Sequence, residues 1–274
     1  MTIQPPASVD LSTIKARQQQ SWATGDIPII ARPLVGVAEN LCEAVELSPG
    51  QKVLDVATCT GNVALAAARR YCDVTGIDYI ASLLERARER AAVERLSITF
   101  LEGDAEHLPF PDAAFDVVLS ALGVMFTPNQ EQAASELLRV CRPGGKIGLV
   151  NWTPDGFFGK MGGVMAAYAP PPAGLKPPAL WGTEERVREL FGEEVISIQT
   201  KKRYFFHRYR SLQHAMEVTC TYFGPAVTAL QALESTARER LSHDILTMFE
   251  QANQTSDSTV IVPAEYLEVI AVRR

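Results

Sequence analysis

The stretch Val53-Leu-Asp-Val-Ala-Thr-Cys-Thr-Gly-Asn62 decides the fold of this chain. A short apolar run carries an acid, a tight turn follows, and an Ala-rich helical segment begins after it. An open α/β sheet binds its nucleotide-like ligand just past such a strand end, where the backbone turns sharply and approaches the ligand closely. The turn calls for small or positive-φ residues, which accounts for Gly61 at the mouth of the helix. Asp55 then limits the ligand. A dinucleotide fingerprint sets a pyrophosphate over the helix N-terminus, and a carboxylate there repels it. A cationic ligand without phosphate is attracted instead.

Outward from this stretch, strands and helices alternate, the signature of a parallel sheet with helices on both faces. Strands are read at Lys52–Val56, Asp73–Ile77, Ile98–Glu102, Phe115–Ala121 and Lys146–Asn151, with a helix over Gly61–Tyr71. Ile80, Leu83, Leu84, Ala87 and Ala91 form an apolar stripe at helical period, and the opposite Glu/Arg-rich face reads as solvated. A helix from Asn129 to Cys141 stops at Pro143-Gly144-Gly145. Ahead of the sheet, residues 1–12 read as a loose tail, a helix runs from near Ser12 through Trp22, and a second covers Ile29–Val45.

Val53–Gly61 resembles motif I of class I S-adenosylmethionine-dependent methyltransferases, whose usual form is Asp-x-Gly-x-Gly-x-Gly. Gly76-Ile-Asp78 matches the next strand end, where the family's acid takes the two ribose hydroxyls. Glu102-Gly-Asp-Ala-Glu-His-Leu-Pro-Phe-Pro-Asp112 resembles the segment whose Asp104 and Ala105 would contact adenine. Phe115-Asp-Val-Val-Leu-Ser120 and Leu138-Arg-Val-Cys-Arg-Pro-Gly-Gly145 match the signatures of the fourth strand and the approach to the fifth. Together these segments resemble the ubiquinone/menaquinone-biosynthesis-type small-molecule methyltransferases, strongly over about residues 50–152. The resemblance implies S-adenosylmethionine as cofactor, with Asp55, Ala57, Thr58, Cys59, Gly61, Asn62, Asp78, Asp104, Ala105 and Ser120 around it. Tyr79 either flanks the adenine or packs, and Trp22 either folds over the cofactor or sits in the core. The motif departs from the family where Ala57 and Cys59 replace glycines. If Cys59 needs positive φ, its side chain costs on the order of 1–2 kcal/mol.

The balance of 26 Lys+Arg against 32 Asp+Glu leaves a net charge of −6, which argues against general affinity for nucleic acid or anionic membrane. No apolar run approaches a membrane span, and the first residues lack the basic-then-apolar pattern of a signal peptide. The five cysteines have no Cys-x-x-Cys spacing, which fits reduced thiols in a cytoplasmic protein and gives no metal site.

After Trp152 the pattern changes. Gly156–Pro178, rich in Gly, Pro, Met and aromatics, reads as a lid rather than a regular element. Thr183 caps a short helix closed by Gly192, a strand follows at about Val195–Phe206, and a helical stretch runs from Ser211 to about Asn253. The last strand is Thr259–Val272, where Pro263 implies a bulge or an edge. Of the 21 Phe, Trp and Tyr residues, 14 lie after residue 151, in keeping with either a small second core or an aromatic substrate pocket. Methyl transfer needs a base only when the acceptor must lose a proton. His207, His214 and Tyr222 are the catalytic candidates here, each with a structural alternative. Lys201–Arg210 interleaves charge with rings, as a single-strand nucleic-acid groove does. It reads better as a strand with Tyr204–Phe206 packed, or with Arg208 or Arg210 on an anionic substrate group.

The expected fold is α/β: a Rossmann-like, doubly wound, mostly parallel seven-stranded sheet with an antiparallel last strand and a helical cap after strand five. Its expected divisions are residues 1–48, N-terminal helices over the cofactor; 49–152, the binding core; 153–258, lid and substrate region; and 259–274, the last strand. The expected activity is methyl transfer to a small aromatic or apolar acceptor, with neither nucleic acid nor membrane as partner and a homodimer compatible. The rival reading is a protein that keeps the fold without methylating, because of Cys59. A nicotinamide-dependent oxidoreductase fails on Asp55 and on the missing Gly-x-Gly-x-x-Gly.

Overall fold

Val53, Leu54 and Val56 are buried on both sides, as a nearly unbroken apolar run in a covered parallel sheet requires. The computed structural model describes residues 10–274, and in it this run is β1 (Lys52–Val56). β1 pairs in parallel with β2 (Asp73–Asp78) and β4 (Phe115–Ala121). Outside them, β3 (Ile98–Glu102) joins β2 and β5 (Cys141–Trp152) joins β4, both parallel. β7 (Val260–Arg273) then runs antiparallel between β5 and β6 (Val195–Tyr209). The order β3-β2-β1-β4-β5-β7-β6 is the expected seven-stranded sheet with its last strand reversed. Strand order switches direction between β1 and β4, and the crevice past their C-terminal ends is where such a sheet takes its ligand.

The N-terminal segment forms α1 (Leu11–Ala23), α2 (Ile27–Ala31) and α3 (Val35–Ala44). Asp10 caps α1 by accepting from the Thr13 amide. The single helix expected over Ile29–Val45 is interrupted, because Pro33 forces a tighter turn over Arg32–Leu34. Within the core, α4 (Asn62–Arg69) follows β1, α5 (Ala81–Glu94) follows β2, and α6 (Gln130–Val140) precedes β5.

Two expectations beyond β5 need correction. Gly156–Pro178 is not wholly irregular, since α7 occupies Phe157–Tyr168. Phe157 and Met161, one helical turn apart, are buried, while Gly162 and Gly163 face open space. Tertiary burial of that stripe outweighs the low helix propensity of the glycines. The Ser211–Asn253 stretch is also broken, into α9 (Leu212–Glu217), α10 (Gly224–Ala232) and α11 (Ser235–Ala252). A wide turn at Val218–Tyr222, Pro225 in the first turn of α10, and extended Leu233 and Glu234 make the breaks. The short helix capped by Thr183 is α8 (Glu184–Phe191), where the Thr183 hydroxyl accepts from the Arg186 amide.

β5 pairs with β7 only as far as Trp152 opposite Tyr266, whereas β6 follows β7 to Tyr209 opposite Val260. A two-stranded ribbon therefore projects past β5, and Pro263 lies on its edge with no ladder partner on the β5 side. The cap closes on this ribbon. Phe157 and Met161, Ala215, Leu230, and Leu241, Ile245 and Phe249 bury themselves with Val260 and Val262. Strand alternation sends Tyr204 and Phe206 to the outer face, 55% and 38% exposed, so the expected packing of all three rings holds for Phe205 alone. Phe249→Ala should cost about 3–5 kcal/mol in denaturant unfolding, because the cavity opens at the centre of the cap. A loss under about 1 kcal/mol would show that the cap is not packed on the ribbon.

Candidate functional site

The backbone leaving β1 is strained. Ala57 and Cys59 sit at φ 56° and 54°, followed by Gly61 at 83°. Glycine adopts this conformation freely, whereas Ala57 and Cys59 each give up about 1–2 kcal/mol. Side chains and amides hold the turn against that cost. Asp55 Oδ2 accepts from Thr58 Oγ1 at 2.5 Å and from the Ala64 amide at 2.9 Å. The Thr58 amide donates to the Ile77 carbonyl, and the Gly61 amide donates to the Thr58 carbonyl. The Cys59 amide donates to Asp78 Oδ2 at 2.8 Å. Across the crevice, a side chain on Gly123 would lie 2.6 Å from Ala57 Cβ, so the bare Gly123 makes room for the alanine. Ser120 is wholly buried. Its hydroxyl donates to the Val56 carbonyl and accepts from the Val124 amide, tying the β1 and β4 ends together.

Two carboxylates therefore lie beneath one turn with only neutral partners. Burial pushes Asp55 up to about 7, with the Asp78 charge adding to it, and pushes Asp78 up to about 6. Asp78 Oδ1 accepts from the Ile80 amide at 3.0 Å. Neither acid has a Lys or Arg ion-pair partner among the described residues, and this negative floor repels pyrophosphate and fits a ligand that brings its own positive charge. Burial pushes the Cys59 thiol up to about 12, so it is un-ionised at neutral pH and is not a nucleophile.

α1 crosses the rim. Lys15 Nζ reaches Asp104 Oδ2 at 2.5 Å and Glu106 Oε2 at 2.6 Å, while Asp104 Oδ1 accepts from the Glu106 amide. Burial opposes ionisation of Asp104, but the Lys15 ammonium outweighs it and holds the acid below its ordinary range. Gln19 Nε2 donates to the Tyr79 carbonyl. Trp22 meets Phe126 edge-on at 4.8 Å and Phe223 at 5.7 Å, and Trp22, Cys59 and Tyr79 each pack against the cluster of Ile27, Ile80 and Leu83. Ala105 packs against the main core. Thus Asp55, Ala57, Thr58, Cys59, Gly61, Asn62, Asp78 and Ser120 converge on one turn, with Trp22 and Tyr79 on its flank. Asp104 and Ala105 lie on the rim that Lys15 spans. Lys15, Gln19 and Glu106 escaped the sequence reading, although Lys15 and Gln19 share a helix face at i, i+4.

The catalytic candidates are not brought together in this way. His207 is buried against Phe158, Phe205 and Trp152, and burial pushes it down to about 3, so it stays neutral and is too weak a base for the role expected of it. Its Nε2 has no hydrogen-bond partner among the described residues. His214 Nδ1 accepts from the Arg210 amide at the start of α9, a local structural bond. Tyr222 lies against the junction of α1 and α2, its carbonyl accepting from the Asp26 amide. Among the described residues no group of three His, Cys, Asp or Glu could hold a metal ion, and no helix is long and apolar enough to cross a membrane.

The fold and this turn define a class I S-adenosylmethionine-dependent methyltransferase. A model of the methyltransferase domain matches residues 54–149. A demethylmenaquinone methyltransferase of Thermus thermophilus is 32% identical over 216 residues, covering 78% of this chain and 85% of that protein. An uncharacterized protein of Mycobacterium tuberculosis is 37% identical over 277 residues and covers 100% of both chains. Among solved structures, the YcgJ protein of Bacillus subtilis superposes with a TM-score of 0.62 at 19% identity, covering 87% of this chain and 99% of that one. The chain belongs to the S-adenosylmethionine-dependent methyltransferase family, and S-adenosylmethionine is its cofactor. The rival reading of a fold that no longer methylates finds no support in these relatives.

The stability contributed by Asp78 depends on pH. Its pKa rises from 3.8 to about 6 on folding, so its charge erodes stability progressively as pH climbs through that window. Asp78→Asn should therefore stabilise the unliganded protein by about 1 kcal/mol at pH 8, after the loss of one accepted hydrogen bond, and lose that advantage at pH 4. The same variant should weaken S-adenosylhomocysteine binding at pH 8 by about tenfold or more. Thermal unfolding at the two pH values and calorimetry check both halves. An unchanged affinity in the folded variant would remove Asp78 from the cofactor site.

Proposed function

We propose that the methyl acceptor is a small aromatic or otherwise apolar molecule, held between the end of β5 and the cap. The observation that carries this reading is a ring cluster at that end of the sheet. Trp152 lies 4.7 Å from Phe158, the His207 ring lies 4.8 Å from Phe158 and 4.7 Å from Phe205, and Tyr209 stacks on His207 at 6.2 Å. Small-molecule sites are lined by such rings with a few polar groups among them. The relatives named demethylmenaquinone methyltransferases support the same acceptor class.

S-adenosylmethionine, when bound, supplies a sulfonium methyl already activated by its positive charge, so proximity and orientation carry most of the acceleration. The chain supplies the positioning. In this reading residues 57–61 approach the cofactor through their backbone, with Asn62 at the helix mouth, and Asp78 accepts from the ribose hydroxyls. Asp104 and Ala105 meet the adenine edge, and Tyr79 and Trp22 flank it. Of the expected N-terminal division, residues 10–48 cover the cofactor and residues 1–9 lie outside the described residues, while residues 153–258 form the lid and hold the acceptor. His207 offers a neutral ring nitrogen that orients a polar atom of the acceptor, and proton removal is left to water or to an already ionised acceptor.

Release of S-adenosylhomocysteine, measured over a panel of a hydroxynaphthoquinol, a catechol, a primary alkylamine and an aliphatic carboxylate, tests the class. Turnover is expected on the ring substrates. Phe205→Ala should raise their KM by about tenfold with a smaller change in cofactor affinity. Turnover confined to the amine or the carboxylate would overturn the aromatic reading and leave the cofactor assignment intact.

A further inference from the structure

Arg90 lies on the Glu/Arg-rich face of α5 that reads as merely solvated, yet it does not behave as a surface charge. Glu94, four residues on, is the natural helix partner, but Glu94 is taken by Arg69 at 2.5 Å. The neighbouring arginines make the expected local pairs, Arg86 with Glu89 and Arg88 with Glu85. Arg90 is half-buried and forms no ion pair among the described residues. Its Nη1 instead reaches the turn after β1, donating to the Thr60 carbonyl at 2.6 Å, to Asn62 Oδ1 at 2.8 Å, and lying 3.1 Å from Thr60 Oγ1. Asn62 passes the contact on, since its Nδ2 donates to the Ala31 carbonyl at the end of α2 at 2.9 Å.

The acceptors straddle the strained point. Thr60, itself buried, sits between Cys59 at φ 54° and Gly61 at φ 83°. A cysteine held at positive φ favours a local relaxation that would move the amides lining the crevice. A guanidinium on the Thr60 carbonyl and the Asn62 amide opposes it, because losing a charge-assisted bond to a buried carbonyl costs more than losing a neutral one. We propose that Arg90 is a positioning residue for methyl transfer: its guanidinium clamps the Thr58–Asn62 turn in the cofactor-binding shape and, through Asn62, couples that shape to the N-terminal segment at Ala31. The clamp rests on the assignment of this turn to the cofactor. It answers the departure at Cys59, where the family carries glycine and has no strain to restrain.

The experiment titrates S-adenosylhomocysteine into wild type, Arg90→Ala, Arg90→Lys, Cys59→Gly and the Arg90→Ala/Cys59→Gly double variant, with circular dichroism confirming the fold of each. Arg90→Ala is expected to weaken binding by about tenfold or more. Arg90→Lys should recover only part of this, because an ammonium is a point donor without the guanidinium fork. In the Cys59→Gly background the same Arg90→Ala change should cost less than about threefold, since glycine holds positive φ without restraint. A purely structural arginine would lower the melting temperature equally in both backgrounds and leave the affinity of the folded protein alone. If Arg90→Ala does not fold, Asn62→Ala, which cuts the link at the turn, must show the same loss and the same suppression by Cys59→Gly. A folded Arg90→Ala protein that binds within about twofold of wild type, or an equal loss in both backgrounds, overturns the clamp. Wild type that binds no S-adenosylhomocysteine overturns the cofactor assignment beneath it, a result distinct from either.

Discussion

Asp55 and Asp78 lie buried under a single turn with only hydroxyl and amide partners. Charge without a counter-charge in a dry place is costly, and the proposed cofactor site is organised around that cost. The Thr58 hydroxyl and the Cys59 and Ala64 amides are spent on these acids, and Ala57 and Cys59 in the same turn hold a positive φ that they would not choose. The unliganded protein therefore stores unfavourable electrostatics and backbone strain in the same few residues. In the proposed site a cofactor that carries an ammonium and a sulfonium would relieve the first, and the second would bring backbone close enough to meet it. Such a site gives up stability for function, the usual bargain at a binding loop.

The cap answers a different constraint. Because β6 and β7 run on past the end of β5, their inner face needs cover that the sheet's own helices do not provide. α7, α9, α10 and α11 supply it with a second core. Trp152 and Phe158 sit where the two cores meet, close to His207. An acceptor pocket at that seam, as proposed, would change its lining without disturbing β1 and the turn, in keeping with a cofactor half that is recognisable in the sequence and an acceptor half that is not.

β1, β3 and β4 agree in both ends with the sequence reading, and β2 and β5 lie in the same places with longer ends. Parallel strands covered on both faces read as apolar runs, and the turns between them carry Gly, Pro and Asp at the points of reversal. The elements misjudged are those whose stability comes from distant partners. α7 is helical because Phe157 and Met161 find the cap core, not because its glycine-containing segment favours a helix. The breaks near Val218 and Leu233 follow how the cap wraps the ribbon, which no local pattern announces. In the site, the turn and Asp78 were legible from spacing, whereas Arg90 looks like its neighbours along α5 until Thr60 is brought beneath it. The weakness of His207 as a base was hidden for the same reason, since burial among Trp152, Phe158 and Phe205 is a tertiary property.

Charge balance between the cofactor and the two buried acids is the central feature of the proposed site, and proton linkage measures it directly. Calorimetric titration of S-adenosylmethionine near pH 6, repeated in buffers of different ionisation enthalpy, reports the protons exchanged on binding. Asp55 and Asp78 are raised to about 7 and about 6 in the unliganded protein, so a cationic ligand should lower both and release protons to the buffer. The release should fall away as the pH is raised toward 8.5, and NAD should show no binding heat at any pH tested. Binding of S-adenosylmethionine with no proton release near pH 6, or binding of NAD in its place, would contradict the account.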